Sequence, residues 1–152
     1  MIIIEWKKRE ELLENVKRNR VYVQFQKLLS ELRKKELPHE IIESINQDIE
    51  DINSTSSQGK ELRKSVKQKH TKILKLLEKE LKIVPKNYYQ NIWLALGMGL
   101  FGLPLGVAFG IIVENMALSG GGIGIGMAIG VALGTMMDKK ALKEGRQLDV
   151  KY

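Results

Sequence analysis

The chain has 152 residues and a formal net charge of +7, and its charged residues are unevenly distributed. Residues 1–86 hold 20 of the 25 Lys and Arg and 14 of the 18 Asp and Glu, whereas residues 87–113 and 115–137 carry no charge. These uncharged runs of 27 and 23 residues are each long enough to cross a bilayer. The absence of cysteine excludes a disulfide framework, a thiolate zinc site and cysteine catalysis.

The first half of the chain has the pattern of a cytoplasmic helical or coiled-coil domain, which we place at residues 1–86. Apolar residues recur there at helical spacing among charged residues. The pattern predicts helices at about 5–37, 38–53 and 60–84, and Pro38 and Pro85 mark two of the breaks. The second helix carries its apolar stripe at Ile41, Ile42, Ile45, Ile49 and Ile52, and the third at Leu62, Val66, Ile73, Leu77, Leu81 and Val84.

Short strands are the alternative within the first of these segments. Val21, Val23 and Phe25 occupy alternate positions, which matches the two-residue period of a strand. The opening residues 1–4 also fit a strand.

Two segments of the second half are predicted to span the membrane as a helical hairpin. They run from about 92 to 113 and from about 117 to 137, close to the length of about 20 residues that crosses a hydrocarbon core. The second holds seven glycines, so we expect it to insert by packing against the first. The hairpin domain is placed at 87–137 and a short cytoplasmic tail at 138–152.

The charges that flank the spans predict their orientation. Cations precede the first span and follow the second, whereas the connection between the spans has none. By the positive-inside rule both ends of the chain are then cytoplasmic, and we expect the bacterial inner membrane as the location.

Cations and aromatic residues at the ends of the spans predict a belt at the lipid interface. Its members are Lys82, Lys86, Tyr88, Tyr89, Trp93, Lys139 and Lys140. Residues 60–86 hold ten cations against three acids, so anionic membrane lipid is an expected partner. Because no aromatic residues are interleaved and no nucleic-acid motif is present, we expect no nucleic-acid partner.

Glycines at intervals of four are the most distinctive feature of both spans. They are Gly102, Gly106 and Gly110 in the first span and Gly122, Gly126, Gly130 and Gly134 in the second. Residues four apart share a helix face, and glycine there lets two backbones approach closely in lipid. We predict a glycine zipper in each span, with a turn near Leu118, so that Gly102 faces Gly134, Gly106 faces Gly130 and Gly110 faces Gly126.

Other glycines would remain for contacts with neighbouring copies: Gly97, Gly99, Gly120 and Gly124. A second packing face of this kind predicts a homo-oligomer.

The stretch 93–147 resembles bacterial glycine-zipper membrane proteins with two spans. The likeness lies in Gly-Leu-Pro-Leu-Gly at 102–106, Glu-Asn at 114–115, the glycine run at 122–134 and Met-Asp-Lys-Lys-Ala at 137–141. The resemblance implies a two-span fold and a membrane location, and most members of this family have no assigned activity. The chain is similar in a looser way, without a shared motif, to the large-conductance mechanosensitive channels, which are homo-oligomers with a glycine-lined pore helix.

Two single residues have a predicted role in a pore. Pro104 lies in the middle of a span and removes a backbone hydrogen bond, which makes it a candidate hinge, with a static bend as the alternative. Glu114 lies at the predicted turn. In a ring of subunits it would form a circle of carboxylates at a pore mouth, and an exposed polar turn is the alternative.

The sequence predicts no catalytic or cofactor chemistry. His39 and His70 are isolated, so we assign them no metal and no catalytic role. Gly97, Gly99 and Gly102 match a dinucleotide-binding glycine pattern, but they lie inside an apolar span and lack its strand and its acid. No cluster of a nucleophile with a base is present, so we expect no enzyme and no cofactor.

These features lead to three hypotheses about function. The first is a homo-oligomeric pore or ion channel built from zippered hairpins and assembled or gated by the cytoplasmic helices. The second is a non-conducting membrane scaffold or anchor for a cytoplasmic protein partner. The third is a triggered membrane-disrupting effector, similar to a holin or a defence protein.

Overall fold

The structure is a computed structural model that describes residues 2–7, 20–56, 59–114 and 119–150. Its elements are α1 (Arg20–Leu32), α2 (His39–Ser54), α3 (Gly59–Leu81), β1 (Val84–Pro85), α4 (Tyr88–Leu96), a π-helical turn (Gly97–Gly102), α5 (Leu103–Ile112), α6 (Ser119–Lys143) and β2 (Gln147–Leu148). The chain divides into two compact units. The first unit comprises Met1–Pro85 and Leu148–Lys151, and the second comprises Lys86–Gln147 and Tyr152.

Three helices, α1 to α3, form the hydrophobic core of the first unit. The stripe predicted for α2 is confirmed, because all five of its isoleucines are buried. In α3, Val66, Ile73 and Leu77 of the predicted stripe are fully buried. The strand alternative for residues 21–25 is wrong, since these residues lie in α1.

The helix predicted at 5–37 is incorrect at both of its ends. Residues 5–7 are not helical, and α1 ends at Leu32, five residues before the predicted end. Residues 8–19 of the predicted helix lie outside the described residues. The early end has a packing reason, because the chain must reverse after the buried Leu32 to bring the isoleucines of α2 onto the same core.

Residues 2–7, which we call the strap, lie along α2. Their backbone is hydrogen-bonded to the side-chain amides of Asn46 and Asn53, and Ile3 is buried in the core. Helical residues 5–7 would use their own backbone groups within the helix. The two asparagines therefore favour an extended chain here.

The helix predicted at 60–84 ends at Leu81. Lys82 has a left-handed φ of 54°, which does not continue an α-helix. Val84, the last residue of the predicted stripe, is fully buried but lies in β1.

The predicted cytoplasmic tail at 138–152 is not a free segment. Helix α6 continues to Lys143, and Leu148 and Val150 are buried in the core of the first unit. Lys27 also lies 2.8 Å from Asp149 in an ion pair. Leu148 and Val150 are apolar side chains in an otherwise polar stretch, and their burial draws this part of the chain into the first unit.

The second unit contains two helices that are long and apolar enough to cross a membrane. They are Tyr88–Ile112, which includes the π-helical turn, and Gly120–Lys143. Both extend beyond the predicted spans at the ends rich in polar and charged residues, where the first begins at Tyr88 and the second ends at Lys143.

Candidate functional site

The two long helices of the second unit pack antiparallel through their glycines. Among the described glycines of these helices, the buried ones are Gly97, Gly102, Gly106 and Gly110 on one helix and Gly122, Gly126, Gly130 and Gly134 on α6. We call these residues the buried glycine face. The larger apolar side chains point away from it, and Leu100, Ile111 and Ile112 are more than 60% exposed.

The helices of this face are too close to allow any side chain. A Cβ atom at Gly122 would overlap the backbone of Gly106 and lie 2.8 Å from the Gly102 carbonyl oxygen. A Cβ atom at Gly126 would overlap the carbonyl oxygen of Gly97. Close backbone approach of this kind is the main source of helix association in lipid, where the hydrophobic effect between helices is absent.

The predicted pairing of the glycines about Leu118 is wrong by about two helical turns, because each partner on α6 lies eight residues earlier than predicted. Gly122 contacts Gly106, Gly126 contacts Gly102, and Gly134 contacts residues 89 and 90. The first two pairs are centred on residue 114 instead of 118. The first helix ends at Ile112 and Glu114 has a left-handed φ of 52°, so the chain begins to reverse earlier than expected.

A π-helical turn keeps Gly97 on the buried glycine face. Gly97 and Gly102 are five residues apart, whereas the other buried glycines of this helix, Gly106 and Gly110, follow Gly102 at intervals of four. The N–H of Leu103 donates to the carbonyl of Met98, five residues earlier, as in a π-helix. Gly97 had been expected to contact neighbouring copies, but it belongs to the interface within the hairpin.

Pro104, the candidate hinge, lies two residues after the end of this turn. Proline has no N–H and its ring crowds the carbonyl four residues earlier, so it disturbs the α-helical hydrogen bonds of the preceding turn. The wider π-helical turn lies where that disturbance falls. The proline therefore coincides with a change of helix type within the span.

Asp138 links the two long helices at their polar ends, and it was not among the residues predicted from the sequence. Its carboxylate is buried, with 7% exposure, and accepts hydrogen bonds from the backbone N–H groups of Tyr89 at 3.2 Å and Gln90 at 3.0 Å. Asn87, which precedes α4, makes no capping bond with its own side chain. Asp138 therefore caps α4 from the neighbouring helix, where the helix dipole also favours a negative charge.

A sequence signal for Asp138 existed. It is four residues after Gly134, so it continues the repeat of the buried glycine face, and it is the first charge after the apolar run. A carboxylate on a packing face requires donors, and the free N–H groups at the start of a neighbouring helix supply them.

Most of the residues predicted for the lipid interface lie at this end of the hairpin. A cavity of about 290 Å³ is lined by Lys86, Lys139 and Asp138 together with other polar side chains. The indole N–H of Trp93 lies 2.9 Å from the sulfur of Met137, and Tyr88 and Tyr89 pack edge to face. Lys140 is exposed one residue after Lys139, whereas Lys82 belongs to the first unit.

Some of the cations of α3 form ion pairs with acidic residues of α2, and others are exposed without a described ion pair. Lys69 and Lys72 each lie 2.8 Å from the carboxylate of Asp48, which is 2% exposed. Burial lowers the pKa of Lys69, but its hydrogen bonds to Asp48 and Asp51 outweigh this effect and raise the pKa overall. Other cations of α3, among them Lys64, Lys67 and Lys75, are exposed.

The remaining predicted residues form no site for chemistry in the described part of the chain. Glu114 is exposed at the turn. His70 is buried against Phe25, with a ring distance of 6.4 Å, and its Nε2 has no hydrogen-bond partner. Among the described residues, no group of three or more His, Asp and Glu side chains is arranged to hold a metal ion.

No protein-family model, curated protein or solved structure matches this chain.

Proposed function

We propose that the protein is a homo-oligomeric membrane pore whose subunits are glycine-zippered hairpins and whose first unit assembles or gates the oligomer from the cytoplasm. In this proposal the helices Tyr88–Ile112 and Gly120–Lys143 span the bacterial inner membrane. The buried glycine face seals each hairpin, and the pore lies between hairpins.

One observation carries the assembly part of the proposal: α6 has a second row of small residues outside the hairpin. Gly120, Gly124, Ala128 and Ala132 follow each other at intervals of four, and all four are exposed. We call them the exposed small-residue stripe. A Cβ atom at Gly120 or Gly124 would have nothing within 4 Å. Rows of small residues mark helix contacts in membranes, and this row has no partner within the described part of the chain.

The composition of α6 also determines the character of the pore. Residues 120–134 contain no polar side chain, so a pore enclosed by α6 helices that meet through this stripe is apolar. Apolar constrictions conduct ions only when they are wide enough to hold water, which makes them suitable gates. Glu114, at the turn, supplies a ring of carboxylates at the mouth and a preference for cations.

Two adjacent positions of α6 test the assembly. We expect Gly124→Leu to block the exposed small-residue stripe and reduce the mass of the purified detergent complex to that of one chain. The hairpin itself should remain folded, because position 124 is open. Ile125→Leu is the matched control, since it changes shape at an exposed position without filling the stripe. An oligomer of unchanged mass in Gly124→Leu would contradict the proposal.

Conduction is tested by single-channel recording of the oligomer in planar bilayers, beside the Glu114→Gln variant. We expect discrete current steps whose cation preference falls in the variant. A silent bilayer from a correctly inserted oligomer, across voltage and applied tension, would refute the pore.

The second candidate function is a non-conducting membrane anchor for a cytoplasmic protein partner. It is favoured by the fully apolar outer surface of the hairpin, where Leu100, Phe101 and Leu103 are exposed. Contacts with lipid chains are sufficient for such a surface, so it requires no neighbouring subunit. The anchor requires that the hairpin be replaceable by an unrelated two-span segment with function retained, whereas the pore requires this hairpin.

A further inference from the structure

Asn46 and Asn53 of α2 bind the backbone of the strap in the manner of a neighbouring strand. The Oδ1 of Asn46 accepts from the N–H of Ile4 at 3.0 Å, and its Nδ2 donates to the Ile2 carbonyl at 3.1 Å. Asn53 repeats the pattern, with Lys7 N–H as donor at 3.0 Å and the Glu5 carbonyl as acceptor at 3.2 Å. Each amide thus brackets one strap residue, as a strand residue does in a parallel ladder.

The spacing of the two asparagines matches that of the backbone groups they bind. They are seven residues apart, which is about 10.5 Å along a helix. The strap residues they bracket are three apart, which is about 10 Å in an extended chain. The helix and the strap therefore stay in register over both pairs of hydrogen bonds.

The bracketed residues are Ile3 and Trp6, and both insert into the first unit. Ile3 is 5% exposed in the core. The ring of Trp6 stacks on Tyr22 with centroids 5.8 Å apart and meets Phe25 edge to face at 5.6 Å. The guanidinium of Arg33 also donates to the Ile4 carbonyl at 2.9 Å. The first unit thus has a groove that takes an extended peptide with an aliphatic residue and, three residues later, an aromatic one.

We propose that this groove is an intersubunit docking site, in which the strap of a second copy replaces the strap of the same chain. The proposal rests on the homo-oligomer proposed above. It assigns to the first unit a means of linking subunits that is independent of the membrane helices.

A second copy of the strap fits the groove as well as the chain's own strap does. It has the same sequence, so it makes the same hydrogen bonds and ring contacts, and the exchange loses no interaction. Twelve residues, 8–19, connect the strap to α1. A chain of this length spans at most about 40 Å, which limits the distance over which two subunits can exchange straps. Tethering of the copies in one complex raises their effective concentration and so reduces the cost of association.

Photocrosslinking of the full-length chain tests the exchange. One population carries a photoreactive phenylalanine analogue in place of Lys7, whose side chain is exposed while its backbone N–H binds Asn53. It is reconstituted with a differently tagged second population, and the products are separated by mass. We expect crosslinked dimers that carry both tags. An excess of a synthetic peptide of residues 1–7 should reduce them at least tenfold by occupying the groove.

A matched variant and an independent measurement complete the test. In the second population, Asn46→Leu with Asn53→Leu should abolish the two-tag product, because both pairs of backbone hydrogen bonds are lost. Two-tag products that resist both the peptide and this variant would overturn the inference. An oligomeric mass with products confined to single chains would overturn the exchange and leave the pore intact, whereas a monomeric mass would overturn both proposals.

Discussion

At the scale of single residues, Asp138 joins two helices that are far apart in the sequence. Its carboxylate accepts from two N–H groups of the first turn of α4, 48 and 49 residues away. Those N–H groups have no partner within their own helix. A buried carboxylate and a helix start therefore satisfy each other at the end of the hairpin where both helices become polar.

Replacing Asp138 with alanine should destabilise the hairpin by about 1 to 2 kcal/mol, the usual cost of losing a helix cap. The measurement is unfolding in mixed micelles, followed by Trp93 fluorescence in a Trp6→Phe background. Lys139→Ala, at the exposed next position, is the control and should change the stability by less than about 0.5 kcal/mol. Equal effects of the two substitutions would exclude a capping role for Asp138.

His70 is the buried histidine of the first unit. Burial lowers its pKa below the ordinary value of 6.5, because the charged ring would lose its hydration beside Phe25. The folded state therefore holds a neutral imidazole at pH values where the unfolded chain already binds a proton.

The stability of the first unit should fall as the pH is lowered from about 6.5, by at most about 1.4 kcal/mol per pH unit. The stability is fully present above the unfolded pKa and is lost towards the lowered folded pKa, since the unfolded state binds the extra proton. Denaturant unfolding between pH 7.5 and 5.5, followed by Trp6 fluorescence in a Trp93→Phe background, measures it. His70→Leu should remove this part of the pH dependence, whereas His39→Leu, at an exposed position, should retain it. If both variants kept the wild-type slope, His70 would not be its source.

At the scale of the element, the π-helical turn restores a register that the sequence interrupts. With only α-helical turns, the five-residue step from Gly97 to Gly102 would rotate Gly97 about 100° away from the other glycines. One extra residue in a π-helical turn absorbs that rotation. The buried glycine face then continues to the contacts of Gly130 with residues 93 and 94.

Deleting one residue from this helix should therefore affect the stability of the hairpin differently at two exposed positions. Both deletions are tested in a Pro104→Ala background. Deleting Leu100 gives Gly97 a four-residue spacing, and the hairpin should keep its stability to within about 1 kcal/mol. Deleting Val107 reduces the spacing of Gly106 and Gly110 to three, and several close contacts should be lost at a cost of about 3 kcal/mol or more. Trp93 fluorescence in mixed micelles measures both, and similar losses would show that the turn does not set the register.

At the scale of the whole molecule, the chain leaves the first unit and returns to it. Val84 and Leu148, on either side of the two long helices, are both fully buried in the first unit. In the proposed membrane protein, a folded unit lies on one side of the bilayer, so the chain between these residues crosses the bilayer an even number of times. This agrees with the orientation that the flanking lysines predict.

Cysteine accessibility should follow from this path. The chain has no cysteine, so single substitutions can be labelled with a membrane-impermeant maleimide in vesicles of known orientation. We expect Glu114→Cys to react from the periplasmic side, and Ser54→Cys and Lys143→Cys to react from the cytoplasmic side. Labelling of positions 114 and 143 from the same side would contradict two spans.

The helices could be predicted from the sequence wherever one local pattern of apolar residues determines them. The isoleucine stripe of α2 and the two long apolar runs are periodic or uniform over many residues, so tertiary contacts have little to alter. Residues 2–7 were predicted in part as helix, because nothing local marks their backbone as bound. Their conformation depends on Asn46 and Asn53, which are more than forty residues away.

In the candidate site, too, the sequence predicted what depends on a local pattern and missed what depends on distant contacts. The repeat of glycines four apart predicts a packing face, and the structure does bury those glycines. The pairing was wrong by about two turns because a repeat matches itself at every fourth residue, and only the position of the reversal near Glu114 selects one register. Gly97 was assigned to the wrong face because its inclusion requires a π-helical turn.

The sequence alone determined what this protein must bury and how much of it is apolar enough for lipid, because hydrophobic period, charge and glycine spacing are local properties. The tertiary structure decided which residues meet: Gly106 with Gly122, Asp138 with the start of α4, and the asparagines with the strap. The physical reason is that a hydrogen-bonding group can bond to many different partners, and a glycine backbone can pack against many different surfaces. Only the folded chain brings one of them within contact distance.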